Sequence, residues 1–326
     1  MERASRSPRA AAVDLAKTLQ NAGHVAWFAG GCVRDELLGI TPKDWDIATD
    51  ATPEQVKAIF PRARAVGEAF GVMLVLRHHH PTEIATFRTD GGYSDGRRPD
   101  GVVFSDAQSD AQRRDFTING LFRDPVSGAL HDFVGGQADL EARRLRAIGD
   151  AGARFEEDDL RMLRAVRFAA SLDLEVDPAT DAAIRARAGS LGGVSRERIG
   201  DEVRRMLSHD SRVRAVQLIQ EWSLDKAIFG DDRHASDWKR LSQVGQDVPL
   251  MPALLAAWAL DRGAVTAQAP DEAAAWRSAL LLTNAETKGF ESCLMTRTRL
   301  DEWKNLDVAG RKRLASSRWF SAALSV

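Results

Sequence analysis

Near its start the chain carries two segments, Gly30-Gly31-Cys32-Val33-Arg34-Asp35 and Lys43-Asp44-Trp45-Asp46-Ile47-Ala48-Thr49. We predict that the second segment is a β-strand, in which alternate side chains share a face, so Asp44 and Asp46 point to one side. Carboxylate oxygens, together with substrate phosphates, are the ligands that Mg²⁺ prefers. Two carboxylates that bridge two metal ions are the arrangement of two-metal phosphoryl transfer. The pair therefore predicts a catalytic metal site.

The glycine pair in the first segment suits a triphosphate. Gly30 and Gly31 have no Cβ atom, so backbone N–H groups can approach phosphate oxygens closely. Arg34 follows at a predicted helix start, where anions are favoured. Asp-X-Asp alone is common on surfaces, and most Gly-Gly pairs are turns. The order and spacing of the two motifs, with Arg34 between them, indicate a nucleotide and metal site.

The composition is that of a globular protein. The 326 residues predict about two domains, or one domain with a helical extension, and contain 44% hydrophobic and 28% charged residues. The net charge of −2 gives no overall sign of nucleic-acid binding, which depends instead on local basic faces. We predict that the two cysteines, Cys32 and Cys293, are free thiols in a reducing compartment. No apolar run is long enough to span a bilayer, so we predict a cytoplasmic protein without membrane contact.

The pattern of apolar residues predicts an α+β fold. Up to about residue 140 we predict a mixed sheet with helices at 10–22, 33–38 and from Pro53 onward, and with strands at 25–29, 72–76 and 83–87. Thr52 is the predicted N-cap of the third helix. We predict a solvated turn at His78-His79-His80 and a long loop at 89–111. Beyond residue 140 nearly all of the chain is predicted to be helical.

A cluster of polar side chains follows the predicted loop, in Arg113-Arg114-Asp115-Phe116-Thr117-Ile118-Asn119-Gly120. Guanidinium groups suit phosphates because their donors are planar, permanently charged and bidentate. The alternative is an exposed helix start that Asp115 caps. The sequence leaves both interpretations open.

A further helix is predicted from Glu157 to Phe168. Its apolar side is formed by Leu160, Leu163, Val166 and Ala170. Asp158 and Arg161 would lie one turn apart, and the simplest interpretation is an ion pair within the helix. The alternative is base recognition, because cytosine and adenine both present an amino donor beside a ring-nitrogen acceptor, which one carboxylate and one guanidinium can match. Guanine and uracil reverse this polarity and leave unpaired groups that cost roughly 1 to 3 kcal/mol each.

Five motifs in this order resemble the class II tRNA nucleotidyltransferases, which comprise CCA-adding enzymes and bacterial poly(A) polymerases. They are Gly-Gly-X-Val-Arg-Asp from Gly30, Asp-X-Asp from Asp44, Arg-Arg-Asp-Phe-Thr-Ile-Asn from Arg113, Asp-Phe-X-Gly-Gly from Asp132 and Glu-Asp-X-X-Arg-X-X-Arg from Glu157. The segment Ser195-Arg196-Glu197-Arg198-Ile199 resembles a further family motif, and the resemblance covers roughly residues 20–205. The chain departs from the family at Gly120, where alanine is frequent, and at Asp159, where proline is frequent; neither change removes a binding group.

The resemblance implies a polymerase-β-like palm at residues 1–140, a helical neck that recognises the nucleobase at 141–210, and a helical, tRNA-binding body at 211–326. It also implies an activity. CMP and AMP would be added from CTP and ATP to a tRNA 3′ end, with Mg²⁺ in a two-metal site and with release of pyrophosphate.

The resemblance implies roles for individual residues as well. Asp44 and Asp46 would hold the metals, with Glu83 as a third carboxylate near them. Residues of the glycine motif, the Arg-Arg-Asp motif and the neck would bind the nucleotide: Gly30, Gly31, Arg34, Arg114, Asp115, Asn119, Asp158, Arg161, Arg164 and Arg167. Among these, Asp158 and Arg161 would read the base. Residues 88–104 resemble the flexible loop with which the family switches its pocket from C to A.

Four functions fit these observations. Complete CCA addition or repair is the first, and the intact loop argues against a CC-only enzyme because such relatives have a shortened loop. The second is an A-adding specialist that completes CC-ended tRNA and depends on a separate CC-adding enzyme. The third is a poly(A) polymerase, which shares all the motifs. The fourth is a non-catalytic RNA-binding protein on the same fold, which would leave both metal carboxylates idle.

Overall fold

The structure is a computed structural model that describes residues 7–67, 71–90, 102–245, 251–317 and 319–324. The chain forms two compact units. The first contains the residues up to Asp158 together with Glu175–Asp181, and the second contains Asp159–Leu174 and the chain from Ala182 onward. The first unit thus continues past residue 140, and the division of the helical part into neck and body stays a prediction.

The first unit contains the strands. Its helices are α1 (Pro8–Asn21), α2 (Gly31–Leu37), α3 (Pro53–Ile59), α4 (Ala107–Gln112), α5 (Gly136–Glu141) and α6 (Ala151–Glu157). Its strands are β1 (Ala26–Ala29), β2 (Ile47–Thr49), β3 (Arg64–Gly67), β4 (Val72–Arg77), β5 (His80–Thr86), β6 (Arg88–Asp90), β7 (Val102–Phe104), β8 (Leu121–Arg123), β9 (Leu130–Asp132), β10 (Arg144–Leu145) and β11 (Glu175–Val176). A short 3₁₀ helix spans Thr117–Asn119.

Seven of these strands form one mixed sheet in the order β3-β4-β5-β2-β1-β8-β9. β2 and β5 run parallel, and the other neighbouring pairs are antiparallel. In the middle of the sheet, β1 pairs with β2 so that Trp27 lies opposite Ala48 and Phe28 lies opposite Ile47. Alternate residues of a strand share a face, so Trp27 and Ala29 lie on the face opposite to Phe28. The mixed sheet with helices confirms the predicted α+β fold.

The second unit is helical. It contains α7 (Leu160–Ser171), most of α8 (Pro178–Arg187), α9 (Arg196–Leu207), α10 (Arg212–Glu221), α11 (Leu224–Phe229), α12 (Lys239–Gln243), α13 (Met251–Asp261), α14 (Ala269–Leu280), α15 (Asn284–Asp301), α16 (Val308–Ala315) and α17 (Phe320–Leu324). The indole rings of Trp258 and Trp276 pack edge to face at 5.3 Å in its core, next to Phe229 and Phe290. Within the described ranges, no helix is both long and apolar enough to cross a membrane.

Several local predictions are confirmed. Thr52 and Gln55 form a capping box at the start of α3, in which each side chain accepts a hydrogen bond from the other residue's backbone N–H. His78 and His79 adopt positive φ angles of 50° and 67° in the turn between β4 and β5. Cys32 and Cys293 are buried free thiols, and burial is the main cause that raises their pKa values to about 11 and about 12.

Two predictions are wrong in detail. The segment predicted as a loop at 89–111 contains β6, β7 and α4, and β6 pairs with β7 so that Thr89 lies opposite Val103. Residues 91–101, which belong to the predicted switching loop, lie outside the described residues. The helix predicted from Glu157 is interrupted at Asp158, where the backbone is extended (φ −156°, ψ 100°), and helix α7 begins at Leu160. The apolar side predicted for this helix is buried as expected.

The Asp-Phe-X-Gly-Gly motif fixes the turn before α5. The carboxylate of Asp132 accepts hydrogen bonds from four backbone N–H groups, those of Val134, Gly135, Gly136 and Gln137. Gly136 packs against the backbone carbonyl of Thr117, and a Cβ atom at Gly136 would overlap with this oxygen. The absence of a side chain therefore lets α5 pack against the 3₁₀ helix that carries Asn119.

We expect Gly136→Ala to lower the free energy of unfolding by about 3 kcal/mol, because the new methyl group overlaps with backbone atoms that have little room to move. Urea denaturation followed by circular dichroism measures this change. Gly189→Ala is the matched control, since no atom lies within 4 Å of its Cβ position. Equal losses of stability in the two variants would contradict the packing argument.

Candidate nucleotide and metal site

Asp44 and Asp46 lie in the segment that leads into β2, not within the strand itself as predicted. Ala29 N donates a hydrogen bond of 3.1 Å to the backbone oxygen of Asp46. The backbone of Asp46 is therefore already bonded to β1 before β2 begins. Trp45 is buried and its ring lies 4.7 Å from that of Phe28. Because Trp45 occupies the Phe28 face of the sheet, the alternation predicted for this segment is retained.

Four charged groups meet at this end of β2. Burial, followed by the charges of Asp44 and Glu83, raises the pKa of Asp46 from 3.8 to about 6, and Arg114 opposes the rise. Glu83 is close because β5 pairs in parallel with β2, with Ile84 opposite Ile47. Three neighbouring carboxylates repel one another unless protons or cations reduce their charge.

A divalent cation fits this set of donors. Asp44 and Glu83 are exposed and Asp46 is half-buried, so their oxygens border solvent. Within the described part of the chain, no three His, Cys, Asp or Glu side chains form a metal-binding group by themselves. Magnesium sites that serve phosphoryl transfer use one or two carboxylates and complete their coordination with water and substrate phosphates. The arrangement matches that kind of site better than a preformed metal cage.

The backbone conformation at position 30 and the closeness of Arg114 both require glycine there. Its φ of 69° lies in the left-handed region, and a Cβ atom there would come within 2.7 Å of Arg114 Nη1. Arg114 donates from Nη1 to the backbone oxygen of Asn119 at 3.0 Å, and its guanidinium lies 4.9 Å from the centroid of the Phe122 ring. The glycine motif and the Arg-Arg-Asp motif are therefore in direct contact at the start of α2.

Asn119 connects the other polar residues of the site. Its side-chain oxygen accepts a hydrogen bond of 2.6 Å from Arg34 Nη1, and its amide nitrogen donates to Asp115 at 2.9 Å. Arg34 also donates from Nε and Nη2 to Asp35. Arg34, Asp115 and Asn119 are all buried, so these contacts hold the guanidinium in a fixed position. Asp115 is consequently a buried network member and not the cap of an exposed helix.

Asp110 is a buried neighbour of this site that the sequence analysis missed. This residue is 2% exposed, and its two carboxylate oxygens accept hydrogen bonds from Arg113 (2.8 Å) and Arg114 (2.9 Å). Burial alone would raise the pKa of Asp110, but Arg114 and Arg113 together hold the pKa below its ordinary value. A predicted helix at 107–112 would have revealed the pairing, because Asp110 precedes these arginines by three and four residues.

We expect Asp110→Asn to lower the free energy of unfolding by about 2 to 3 kcal/mol at pH 7, because two guanidiniums lose their buried partner. Since folding depresses the pKa of Asp110, its stabilisation is complete above the unfolded value of about 3.9 and disappears as the pH falls through the folded value. The difference between wild type and variant should therefore shrink below pH 4 in denaturant titrations. An exposed control, Glu141→Gln, should show little difference at any pH, and an equally large Asp110→Asn effect at pH 3 would contradict the assignment.

Of the remaining predicted residues, Asp158 lies just before helix α7, and Arg161, Arg164 and Arg167 lie on it. Arg161 is 8% exposed, in the first turn of this helix. Further along, Arg167 Nε donates a hydrogen bond of 2.7 Å to Glu202 of helix α9, and Arg164 lies 4.0 Å from the same carboxylate. Glu202 is 4% exposed and was not predicted from the sequence. One buried acid therefore binds Arg167 directly and lies at ion-pair distance from Arg164, another predicted nucleotide-binding arginine.

Comparison with known proteins identifies the family of this chain. The family profile described as "Poly A polymerase head domain" matches residues 26–146, and that described as "Probable RNA and SrmB- binding site of polymerase A" matches residues 173–231. The crystal structure of Bacillus stearothermophilus CCA-adding enzyme in complex with CTP aligns with a TM-score of 0.79 at 30% identity, covering 98% of this chain and 77% of that chain. The chain belongs to the family of CCA-adding enzymes and poly(A) polymerases.

Other members of this CCA-adding and poly(A) polymerase family are similar over about two thirds of the chain. The CCA-adding enzyme of Geobacillus thermodenitrificans is 41% identical over 220 residues, which is 67% of this chain and 54% of that protein. That of Latilactobacillus sakei is 44% identical over 199 residues, 61% of this chain and 50% of that protein. The chain thus spans about half the length of these curated relatives. The Thermotoga maritima CCA-adding enzyme complexed with tRNA shares the fold, with a TM-score of 0.74 at 19% identity over 98% of this chain and 79% of that one.

Membership of the CCA-adding and poly(A) polymerase family confirms the recognition made from the sequence motifs. In the first unit, the structure brings Asp44, Asp46, Glu83 and Arg114 into one electrostatic cluster. It also connects Gly30, Arg34, Asp115 and Asn119 with that cluster through Arg114 and its contacts. The roles of these residues, and those of Asp158, Arg161, Arg164 and Arg167, stay predictions.

Proposed function

We propose that the chain is a template-independent tRNA nucleotidyltransferase that adds CMP and AMP from CTP and ATP to the tRNA 3′ end. The observation that carries this proposal is the cluster of Asp44, Asp46 and Glu83 beside Arg114 and the glycine motif. Carboxylates for a divalent cation and arginines for phosphates are both required to move a nucleotidyl group from a triphosphate. The similarity to CCA-adding enzymes selects the tRNA 3′ end among possible acceptors.

Asp44 and Asp46 would hold Mg²⁺, with Glu83 as a nearby third carboxylate. When bound, two such ions would activate the attacking hydroxyl and stabilise the leaving pyrophosphate. Binding of the cations would also favour ionised Asp46, whose pKa burial and its acidic neighbours raise to about 6.

Arg34 and Arg114 would bind the triphosphate next to Gly30 and Gly31. Both guanidiniums are held by neighbouring side chains, Arg34 by Asp35 and Asn119 and Arg114 by Asp110. Fixed donors lose little conformational entropy when a phosphate binds, and they need no reorganisation as charge develops. Glu202 would position the guanidinium of Arg167 through a hydrogen bond and attract that of Arg164 through its charge.

Asp158 and Arg161 would select the base. The carboxylate would accept from the amino group of cytosine or adenine, and the guanidinium would donate to the adjacent ring nitrogen. The extended backbone at Asp158 means that the two side chains come from different local structures and not from one helical turn.

A-addition to CC-ended tRNA, with CC supplied by a separate enzyme, is a narrower form of the same activity, and poly(A) addition to general RNA uses the same groups. These activities are distinguished by incorporation of labelled CTP and ATP, supplied separately and together. The acceptors are tRNA transcripts that end at the discriminator base, after one C, and after CC. Growth of the bare transcript by CCA supports complete addition. Extension of only the CC-ended transcript by a single A supports the specialist, and repeated AMP addition to unrelated RNA supports a poly(A) polymerase. No incorporation with any substrate would overturn the proposal.

A further inference from the structure

A cavity lies in the first unit, on the same face of the sheet as Asp46. It has a volume of about 500 Å³, within the usual range for sites that bind small molecules. Its apolar lining includes Val25 and Trp27 at the start of β1, Phe87 after β5, and Phe133. None of the residues proposed to bind metal or triphosphate is among its described lining residues. The cavity is therefore separate from the site described above.

The aromatic lining is suited to a flat ring. Phe87 is 2% exposed and packs against Trp27, with ring centroids 6.0 Å apart. Phe133 is 39% exposed, although Phe122 packs against it at 6.3 Å. A large apolar side chain that stays this exposed beside a cavity provides surface that a ligand can cover. Aromatic rings at such distances favour offset or edge contacts with a further ring.

One polar atom of the cavity wall lacks a partner. Ser105 Oγ is buried and makes no hydrogen bond within the described residues. An unsatisfied buried hydroxyl costs free energy unless a water molecule or a ligand completes it. The backbone of the same residue is fixed, because Ser105 N donates to the carbonyl of Phe87 at 2.9 Å. The hydroxyl oxygen is thus held beside the aromatic lining, covered by the surrounding protein atoms.

The charged lining residues of the cavity are both acidic. Asp50 is 47% exposed; it accepts a hydrogen bond from Val25 N at 2.8 Å and lies 3.2 Å from His24 Nδ1. Asp106 caps helix α4 by accepting from Ser109 N, and its other surface is exposed. Two carboxylates beside aromatic rings favour a cationic ligand over one that carries phosphates.

We propose that this cavity is a binding site for a small aromatic cation, which places its ring among Trp27, Phe87 and Phe133 and its positive group toward Asp50 and Asp106. The site requires neither tRNA nor nucleotide, so the proposal can hold or fail independently of the transferase activity.

Three probes with one ring system test the charge requirement: tryptamine, which is cationic, tryptophol, which is neutral, and indole-3-acetate, which is anionic. Isothermal titration calorimetry on the full chain should give saturable binding of tryptamine and at least about tenfold weaker binding of indole-3-acetate, with tryptophol between them. Excess CTP should not displace tryptamine. Absence of saturable tryptamine binding, equal affinity for all three probes, or displacement by CTP would each overturn the proposal.

Variants of the cavity lining test where the cation binds. Asparagine can still accept the hydrogen bonds that Asp50 and Asp106 receive, so Asp50→Asn with Asp106→Asn should preserve the fold. This double variant should weaken tryptamine binding at least about fivefold and change tryptophol binding less than about twofold. Phe133→Ala should weaken both probes, and the exposed control Glu141→Gln should weaken neither. Unchanged tryptamine binding in the double variant and in Phe133→Ala would show that the cation binds elsewhere.

Discussion

Asp46→Asn is expected to reduce nucleotide transfer by about 10³-fold or more. Removal of one metal-binding carboxylate withdraws several kcal/mol of transition-state stabilisation, and about 4 kcal/mol corresponds to 10³-fold in rate. Asp44→Ala and Asp46→Ala are expected to act in the same way. Single-turnover incorporation of labelled CTP onto a tRNA transcript measures the loss, because it separates transfer from product release.

The affinity for tRNA should stay close to that of wild type in these variants. Asn has nearly the same shape as Asp and removes a charge that burial and two other carboxylates disfavour, so the fold should tolerate Asp46→Asn well. Glu54→Gln, at the exposed first turn of helix α3, is the control for the loss of an acid from this unit. Transfer at the wild-type rate by Asp44→Ala or Asp46→Asn would refute the metal assignment.

The features of this site that the sequence predicts well are those set by neighbours in the chain. Thr52 caps helix α3 because its side chain lies within one turn of the Gln55 backbone N–H that it accepts from. Trp45 and Asp46 occupy opposite faces because an extended chain alternates its side chains. Motif order identified the family, since each motif can be recognised from the residues of its own segment.

Contacts between distant segments could not be predicted in this way. Nothing local shows that the Cβ position of Gly30 is occupied by Arg114, or that Asn119 accepts from Arg34, because these pairs form only when β1 and β8 are neighbours. Glu202 was missed for the same reason, since its partner Arg167 lies on another helix. Asp158 was predicted to lie within a helix because the spacing of apolar residues continues through this segment. The backbone of Asp158 is extended, and the apolar pattern gives no sign of this.

Replacement of Arg161 is the second change with a large expected effect, and it concerns specificity. In the wild type, guanine or uracil would leave the Arg161 guanidinium without an acceptor, at a cost of roughly 1 to 3 kcal/mol. Arg161→Ala removes the group that imposes this cost. The ratio of kcat/KM for CTP to that for UTP should therefore fall by about 5-fold to 150-fold, and the ratio of ATP to GTP should fall similarly.

Competition assays with paired nucleotides measure these ratios directly. Arg161→Lys separates charge from geometry, because lysine keeps the positive charge but cannot reproduce the planar fork of donors. Arg214→Ala, an exposed arginine of the same unit, controls for loss of charge, since its partner Glu221 is also exposed. We expect Arg161→Lys to lose most of the selectivity and Arg214→Ala to lose none. If Arg161→Ala excludes UTP and GTP as strongly as the wild type does, residues other than Arg161 select the base.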